Sequence, residues 1–149
     1  MSMSLTEKQV IEAALEKEND AYLFYKKAAE KVSELQLKVV FEALSKEEQN
    51  HIRLLKGLEA GINVIYESPT WIDLFSGVKS YGSQYFTQIK KILEYAIEAE
   101  GKAEKAYRGW ADQVGDSDVK RLCQRLAGVE AGHKSRLKSE YTRIQTQRR

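Results

Sequence analysis

Both histidines of the chain end a Glu-x-x-His motif. The motifs are Glu48-Gln49-Asn50-His51 and Glu130-Ala131-Gly132-His133. On a helix, residues three positions apart lie on the same face about one turn apart, so each pair can bind a metal ion. Carboxylate oxygens combined with imidazole nitrogens suit iron or manganese better than a sulfur-loving ion. The spacing therefore predicts metal ligands at Glu48, His51, Glu130 and His133.

An internal repeat relates the two motifs. Moving the chain along itself by 82 positions places Glu48 on Glu130 and His51 on His133 without a gap. The same offset matches other residues, including Ala14/Ala96, Glu16/Glu98, Glu18/Glu100, Ala21/Ala103, Tyr25/Tyr107, Leu44/Leu126 and Leu55/Leu137. Two unrelated amphipathic helices would share alanines and leucines. Matched histidines, tyrosines and glutamates favour duplication of one structural unit.

Apolar residues recur every three or four positions along four segments, which predicts four long amphipathic helices. The segments cover about residues 5–32, 34–61, 87–114 and 117–145. The tail from Gln145 onward is expected to fray. The connection over residues 62–86 holds the only proline and several aromatic residues. It is expected to form a lid, a dimer surface or a crossover that packs on the bundle.

The breaks between these segments predict the topology. Short breaks near Ser33 and Gly115 each close a tight helical hairpin. A capping box over residues 4–7, a stop at Gly61 and a cap at Asp116 or Ser117 are expected at the helix ends. Two hairpins and one long crossover predict an all-α four-helix bundle, a single domain over residues 1–149.

Two further glutamates are placed at the height of the motifs by the hairpin geometry. Glu18 and Glu48 are equally far from the break at Ser33, and the repeat gives Glu100 the same relation to Glu130. Residues equidistant from a turn lie level with one another in an antiparallel hairpin. We therefore expect each glutamate to face the Glu-x-x-His motif of its own hairpin.

All of these side chains lie on apolar stripes, where isolated carboxylates are costly to bury. Two divalent cations would balance four carboxylates, and neutral imidazoles would complete the ligand shell. A glutamate from each of two helices, with Glu-x-x-His from each of the other two, is the di-iron or di-manganese carboxylate pattern. The predicted metal ligands are Glu18, Glu48, His51, Glu100, Glu130 and His133.

Two tyrosines lie two turns beyond the first-helix glutamates of the hairpins, on the same face. Tyr25 and Tyr107 could hydrogen-bond ligand carboxylates, serve as electron stations near an oxidising centre, or be core aromatics with satisfied hydroxyls. Tyr22, one turn from Glu18, has the same alternatives. Glu47 points about 100° away from its neighbour on a helix and is expected at the surface.

Composition excludes several classes of protein. The 149 residues are 42% hydrophobic and 31% charged, which suits a globular domain with a core. A single cysteine, Cys123, excludes a disulfide framework and a Cys₄ metal site within the chain, and is expected to be a small buried residue. A net charge of +2 does not support nucleic-acid binding, and no apolar run is long enough to span a membrane. The first residues lack a signal-peptide pattern, so a cytoplasmic location is expected.

At these motifs the sequence resembles the ferritin-like superfamily and, within it, the di-iron domain of rubrerythrins. The matching segments are residues 14–18 through 24–25, 47–51, 96–100 through 107, and 129–133. The resemblance implies Glu18 and Glu100 as terminal ligands, Glu48 and Glu130 as bridging ligands, and one histidine nitrogen for each metal. It implies two iron ions (Fe²⁺/Fe³⁺), with manganese or a mixed pair as alternatives, and a homodimer or larger homo-oligomer.

Two features depart from the rubrerythrin pattern. Rubrerythrins carry a rubredoxin-like domain with two cysteine pairs, whereas this chain has Cys123 alone. The resemblance therefore implies an external electron donor such as a rubredoxin-like protein. Rubrerythrins also carry a glutamate one turn beyond the third-helix ligand, where this chain has Ala103, with Glu104 one residue further round. Glu104 is accordingly a candidate site residue, near the position where rubrerythrins carry the additional glutamate.

The expected function is a di-iron carboxylate oxidoreductase that reacts with hydrogen peroxide or dioxygen. The reaction would be rubrerythrin-like peroxide reduction or ferroxidase-like iron oxidation. The alternatives are an iron-storage or iron-delivery protein without catalytic turnover, a non-catalytic metal-filled bundle, or a di-iron enzyme that oxidises an organic substrate. Neither nucleic acid nor a membrane is expected as a partner.

Overall fold

The computed structural model describes residues 5–58, 69–78 and 83–147. These residues form four long helices: α1, Leu5–Lys31; α2, Leu35–Leu58; α3, Ser83–Gln113; and α4, Ser117–Gln147. A short 3₁₀ helix, Ile72–Phe75, lies between α2 and α3. Helix α1 packs along α2, and α3 packs along α4, so two hairpins form the bundle. The predicted all-α four-helix bundle is confirmed.

Two helix ends differ from the sequence-based prediction. Helix α3 begins at Ser83 rather than near residue 87, so Tyr85 and Phe86 belong to the helix and not to the connection. Helix α4 continues to Gln147, although fraying was expected from Gln145. Extending an existing helix by one residue adds a backbone hydrogen bond that nearly offsets the entropy lost in fixing that residue, so such ends are hard to place from sequence. The capping box expected at residues 4–7 begins at a residue outside the described part of the chain. The helix stop expected at Gly61 lies outside it as well.

The turn between α3 and α4 is fixed by Asp116. Its Oδ1 accepts hydrogen bonds from the backbone N–H groups of Asp118 at 2.9 Å and Val119 at 3.0 Å, which confirms it as the N-terminal cap of α4. The backbone N–H of Asp116 donates to Oε1 of Glu7 at 2.9 Å. The turn of the second hairpin is therefore bound directly to the first helix of the other hairpin.

A buried polar layer divides the hydrophobic core into two clusters. On α1, Leu15 belongs to one cluster and Phe24 to the other, and Glu18 lies between them. The other three long helices show the same order of apolar, polar and apolar residues. The polar residues between the two clusters are Glu18, Glu48, His51, Glu100, Glu130 and His133. Apolar packing on both sides therefore fixes the height of this layer and shields it from water along the axis of the bundle.

The described residues of the long connection pack on the bundle. Trp71 and Phe75 are buried, and their rings lie 5.5 Å and 5.3 Å from the ring of Phe24. The indole N–H of Trp71 donates to Oδ1 of Asp20 on α1 at 2.9 Å. Of the alternatives for residues 62–86, the stretch 69–78 shows a crossover that packs on the bundle, while residues 59–68 and 79–82 lie outside the described part.

Candidate metal centre

All six predicted ligands come together in the polar layer, and each is at most 5% exposed. They form two groups, and within each group one potential ligand atom per residue lies within 4.8 Å of the others. The first group is Glu18, Glu48, His51 and Glu130, and the second is Glu48, Glu100, Glu130 and His133. The repeat of 82 positions converts one group into the other, so the centre has pseudo-twofold symmetry.

Two carboxylates belong to both groups. Glu48 Oε1 lies 3.0 Å from Nδ1 of His133, and Glu130 Oε1 lies 3.5 Å from Nδ1 of His51. The expectation that each hairpin provides its own ligand set is therefore incomplete. Helices α2 and α4 meet where the hairpins pack, and this contact brings a motif glutamate from each hairpin beside the histidine of the other. A shared carboxylate between neighbouring ligand groups is the arrangement that bridges two cations.

Both imidazole rings direct Nδ1 toward the carboxylates. Nδ1 of His51 lies 3.3 Å from Oε2 of Glu18, and Nδ1 of His133 lies 3.4 Å from Oε1 of Glu100. The two rings are 6.0 Å apart and inclined by only 12°, so they face each other across the centre. Each ring nitrogen therefore points at its own group of oxygens, as a one-nitrogen ligand for each of two ions would.

The hydrogen bonding tests whether a metal pair fits these residues. Five buried atoms have no hydrogen bond within the described part of the chain: Glu48 Oε1, Glu100 Oε2, Glu130 Oε1, and Nδ1 and Nε2 of His133. Nδ1 of His133 is close to Oε1 of Glu48, but the two atoms are not aligned as donor and acceptor. Buried polar atoms left in this way are costly, and a cation between them would satisfy them. The oxygen-rich donor set with two imidazoles fits two divalent cations of the iron or manganese type.

Burial and mutual proximity shift the pKa values of three glutamates in the centre. Burial, reinforced by Glu130, raises the pKa of Glu100 to about 8. Burial and Glu18 raise the pKa of Glu48 well above its usual range. Burial alone would raise the pKa of Glu130 as well, but the proximity of Glu100 and of both imidazoles outweighs it and lowers that pKa.

The pKa values of both histidines are raised, which favours the charged form of each imidazole. Burial lowers the pKa of His51, but the carboxylates of Glu130 and Glu18 outweigh it and raise the pKa to about 9. The pKa of His133 is raised because the nearby carboxylates of Glu100, Glu130 and Glu48 likewise outweigh burial. Protons thus balance part of the carboxylate charge, and a bound cation would displace them.

The two tyrosines donate hydrogen bonds to predicted ligand carboxylates of the opposite hairpin. Tyr25 donates to Oε1 of Glu100, and Tyr107 donates to Oε1 of Glu18, each at 2.5 Å. Burial and the nearby carboxylates raise the pKa of both hydroxyls well above the usual value, so both remain protonated donors. Of the alternatives considered from sequence, the structure shows hydrogen bonding to ligand carboxylates, across hairpins rather than along one helix.

Two other candidates lie outside the centre. Glu104 accepts hydrogen bonds from its neighbour Arg108 at 2.9 Å and 3.0 Å, and it belongs to neither ligand group. Tyr22 is half-buried and lines a groove on the outer side of α1 and α2 together with Ser45 and Gln49. Glu104 is one residue past Ala103, which lines the cavity, and this turns its side chain away from the carboxylates. Tyr22 is one turn from Glu18, yet its side chain lies in the outer groove.

Glu47 is a site residue that the sequence did not reveal. Its side chain is 49% exposed, as expected for a surface residue, yet its Oε2 lies 2.9 Å from Nε2 of His133 on α4. The contact joins different hairpins, so neither helical spacing nor hairpin height indicates it. Cys123, in contrast, is the buried thiol that was expected, and burial raises its pKa to about 11.

A cavity of about 160 Å³ reaches the centre between α1 and α3. Glu18, Glu48, Glu100 and Glu130 line its inner part. Small side chains, Ala21, Ala96, Ala99 and Ala103, line the passage, and Lys17, Asp20 and Lys102 line it with them. Ala21 and Ala103 are a matched pair of the repeat, so the absence of a larger side chain on both helices leaves this space.

A family model described as the ferritin-like domain matches residues 6–142. The chain belongs to this family. The match includes all six predicted ligands and both tyrosines that bond them. Within the described residues, no helix combines the length and the low polarity needed to cross a bilayer.

Solved structures share the fold of this ferritin-like chain. A hypothetical protein from Pyrococcus furiosus is 25% identical with a TM-score of 0.76, covering 94% of this chain and 90% of its own. A dodecameric thioferritin, the bacterioferritin-related protein from Bacteroides fragilis, is 19% identical with a TM-score of 0.72, covering 95% and 88%. CopM in its Cu(I)-bound form is 12% identical with a TM-score of 0.73, covering 94% and 98%. No curated protein sequence matches the chain.

Proposed function

We propose that the protein is a di-iron carboxylate oxidoreductase that reacts with hydrogen peroxide or dioxygen. The observation that supports this most is the sharing of Glu48 and Glu130 between two buried ligand groups, because it favours two adjacent ions over one isolated ion. Membership of the ferritin-like family favours iron. In this proposal Glu18 and Glu100 are terminal ligands, and His51 and His133 each provide one nitrogen.

Two ferrous ions held there would supply two electrons, which with two protons reduce hydrogen peroxide to two water molecules. The chain itself holds the ligands in place. Tyr25 and Tyr107 keep Glu100 and Glu18 oriented through short hydrogen bonds, and the flanking apolar clusters exclude bulk water. Return to the ferrous state needs two electrons from outside, for which we propose a one-electron donor such as a rubredoxin-like protein.

The cavity between α1 and α3 is the proposed route for the oxidant. It connects the carboxylates to the surface past four alanines, with Phe24 and Tyr95 also in its lining, and its volume admits a molecule the size of peroxide or dioxygen. Cavities of about 150 Å³ can also hold a molecule as large as benzene. Oxidation of a small organic substrate is therefore a second candidate activity, supported by this cavity alone.

Stopped-flow absorbance of the Fe²⁺-loaded protein tests the proposed reaction. Oxidation at the centre by peroxide much faster than by dioxygen is the expected result for a peroxidase. Continuous turnover of excess Fe²⁺ with dioxygen indicates a ferroxidase instead. A Glu16→Gln/Glu98→Gln variant serves as the control and should react like the wild type, because these exposed glutamates are a matched repeat pair outside the centre. Oxidation no faster than that of free Fe²⁺ with either oxidant would contradict the proposal.

We also propose that the chain assembles into a homo-oligomer. Leu35 and Val39 lie on the same side of α2 and are 74% and 53% exposed, and Ile72 is 54% exposed. Leu35 and Val39 are one turn apart and form a small exposed apolar patch, and such patches favour contact with another subunit. Light scattering measures the assembly, with a dimer or larger species expected. A cage of 12 or 24 subunits would favour iron storage, in line with the dodecameric thioferritin that shares the fold.

A further inference from the structure

We infer that Glu47 is a positioning residue that holds the His133 imidazole and makes the two metal positions unequal. The inference rests on the proposed di-metal centre. Its basis is the 2.9 Å distance from Oε2 of Glu47 to Nε2 of His133, on the side of the ring opposite Nδ1. A carboxylate behind a ligand imidazole fixes its orientation and raises its basicity.

The position of Glu47 suits this role. Its neighbour Glu48 points into the centre, so Glu47 reaches the outer edge of the same layer from α2. Arg136 lies one turn beyond His133 on α4, and its guanidinium is 3.9 Å from Oε2 of Glu47. Glu47 thus lies between a partly exposed cation and the inner imidazole, which keeps its carboxylate directed toward α4.

The contact has the length of a hydrogen bond but not its alignment. Nε2 of His133 and Oε2 of Glu47 are within hydrogen-bond distance, but the ring N–H does not point along the line between them. Because the Glu47 side chain is half exposed, a rotation of its carboxylate can align the pair without disturbing the core. Binding of Nδ1 to a cation would leave Nε2 as the protonated nitrogen that donates to Glu47.

The internal repeat shows that this contact has no counterpart at the other histidine. Moving Glu47 by 82 positions gives Val129, and moving His133 back gives His51. A valine side chain cannot accept a hydrogen bond, and the carboxylates recorded beside His51 within the described residues, those of Glu18, Glu48 and Glu130, contact its Nδ1. The pseudo-twofold symmetry of the ligands is therefore broken just outside them, and the His133 position should bind its cation more tightly.

Titration of the metal-free protein with Co²⁺, followed by visible absorbance, tests this difference without any oxidant. The wild-type chain is expected to bind two ions in two unequal steps. Glu47→Ala should weaken the tighter step by about 10- to 100-fold, the usual cost of losing such a partner. Glu47→Gln keeps an oxygen acceptor and should restore most of that loss. Val129→Glu should strengthen the weaker step.

The matched control is Glu42→Ala, which removes another exposed glutamate of α2. A wild-type protein that binds two Co²⁺ ions while Glu47→Ala leaves both steps unchanged, or weakens both equally, would overturn the inference and leave the metal centre intact. A wild-type protein that binds no Co²⁺ would overturn the metal centre and the inference with it.

Nitrogen-15 NMR of the metal-free protein gives a second measurement. The chain has two histidines, so the ring signals can be assigned with few variants. The Nε2–H signal of His133 should be protected from solvent exchange in the wild type and in Glu47→Gln, and lost in Glu47→Ala. The His51 signal should be the same in all three. Equal changes at both rings would show a general loss of structure and contradict a positioning role.

Discussion

The hydroxyl of Tyr25 donates a hydrogen bond of 2.5 Å to Oε1 of Glu100, a residue 75 positions later in the opposite hairpin. Tyr107 makes the equivalent bond to Glu18. Exchanging the two halves of the repeat converts each bond into the other. Each hairpin thus orients a predicted ligand of the other hairpin, and the centre is complete only when the two hairpins are packed together.

Replacing Tyr25 with phenylalanine should weaken both the fold and metal binding. Loss of the hydroxyl leaves a buried carboxylate oxygen of Glu100 without its donor, which costs about 1–3 kcal/mol of unfolding free energy. Affinity for Co²⁺ or Fe²⁺ should fall roughly 10- to 100-fold, as for other partners of metal ligands. Denaturant unfolding and metal titration measure the two effects.

The control for this change is Tyr22→Phe, because Tyr22 lies in the outer groove of α1 and α2. It should leave metal affinity unchanged. Tyr107→Phe should lower stability about as much as Tyr25→Phe, since the two bonds are equivalent. A Tyr25→Phe protein that binds metal as tightly as the wild type would contradict a role in holding Glu100.

The metal-free protein should become less stable as the pH rises from about 6.5 to 9. Despite its burial, His51 has a pKa raised by carboxylates to about 9, and burial raises the pKa of Glu100 to about 8. Both groups hold protons more tightly in the folded chain than in the unfolded one. Their contribution is complete below the unfolded pKa values and is lost as the pH rises through about 8 and 9. Thermal unfolding across this range should show a falling Tm.

Binding of divalent cations should reverse this dependence. At pH 7 a cation displaces protons from His51 and Glu100, so calorimetry in two buffers of different ionisation enthalpy should show proton release. The Tm of the loaded protein should hold steady or rise between pH 6.5 and 8. A metal-free Tm that rises over the same range, or metal binding without proton release, would contradict the proposed protonation of the centre.

Filling the cavity between α1 and α3 should slow the reaction without removing the metal. Ala103→Leu adds bulk to the passage that leads to Glu100, so oxidation of the Fe²⁺ form by peroxide should slow at least several-fold. Metal stoichiometry should stay the same. Ala13→Leu is the control, because Ala13 is partly exposed on α1 and does not line the cavity. An unchanged rate in Ala103→Leu would exclude this passage as the route of the oxidant.

Much of the fold and the position of the six ligands could be predicted from periodicity and hairpin symmetry. Equal distance from the break at Ser33 brought Glu18 level with Glu48, and the structure places Glu18 beside His51 as expected. These relations are local to one hairpin. They follow from helix geometry alone, so a single sequence contains enough information to indicate them.

Contacts between hairpins could not be predicted in the same way. The bond from Tyr25 to Glu100 and the contact of Glu47 with His133 depend on how one hairpin rotates against the other. That rotation is set by side-chain packing of the two apolar clusters, and no spacing within one helix reports it. The start of α3 at Ser83 was missed for a different reason, since helix ends depend on marginal local energies.

The number of metal ions bound per chain tests the di-metal centre most directly. Protein purified without chelator and reloaded with Fe²⁺ in the absence of air should bind two ions per chain. Glu48→Gln/Glu130→Gln removes both shared carboxylates and should lose most of this metal while remaining folded, because it relieves buried charge. The Glu16→Gln/Glu98→Gln control should keep both ions. Fewer than one ion per chain in the wild type, unchanged in the Glu48→Gln/Glu130→Gln variant, would contradict a di-metal centre.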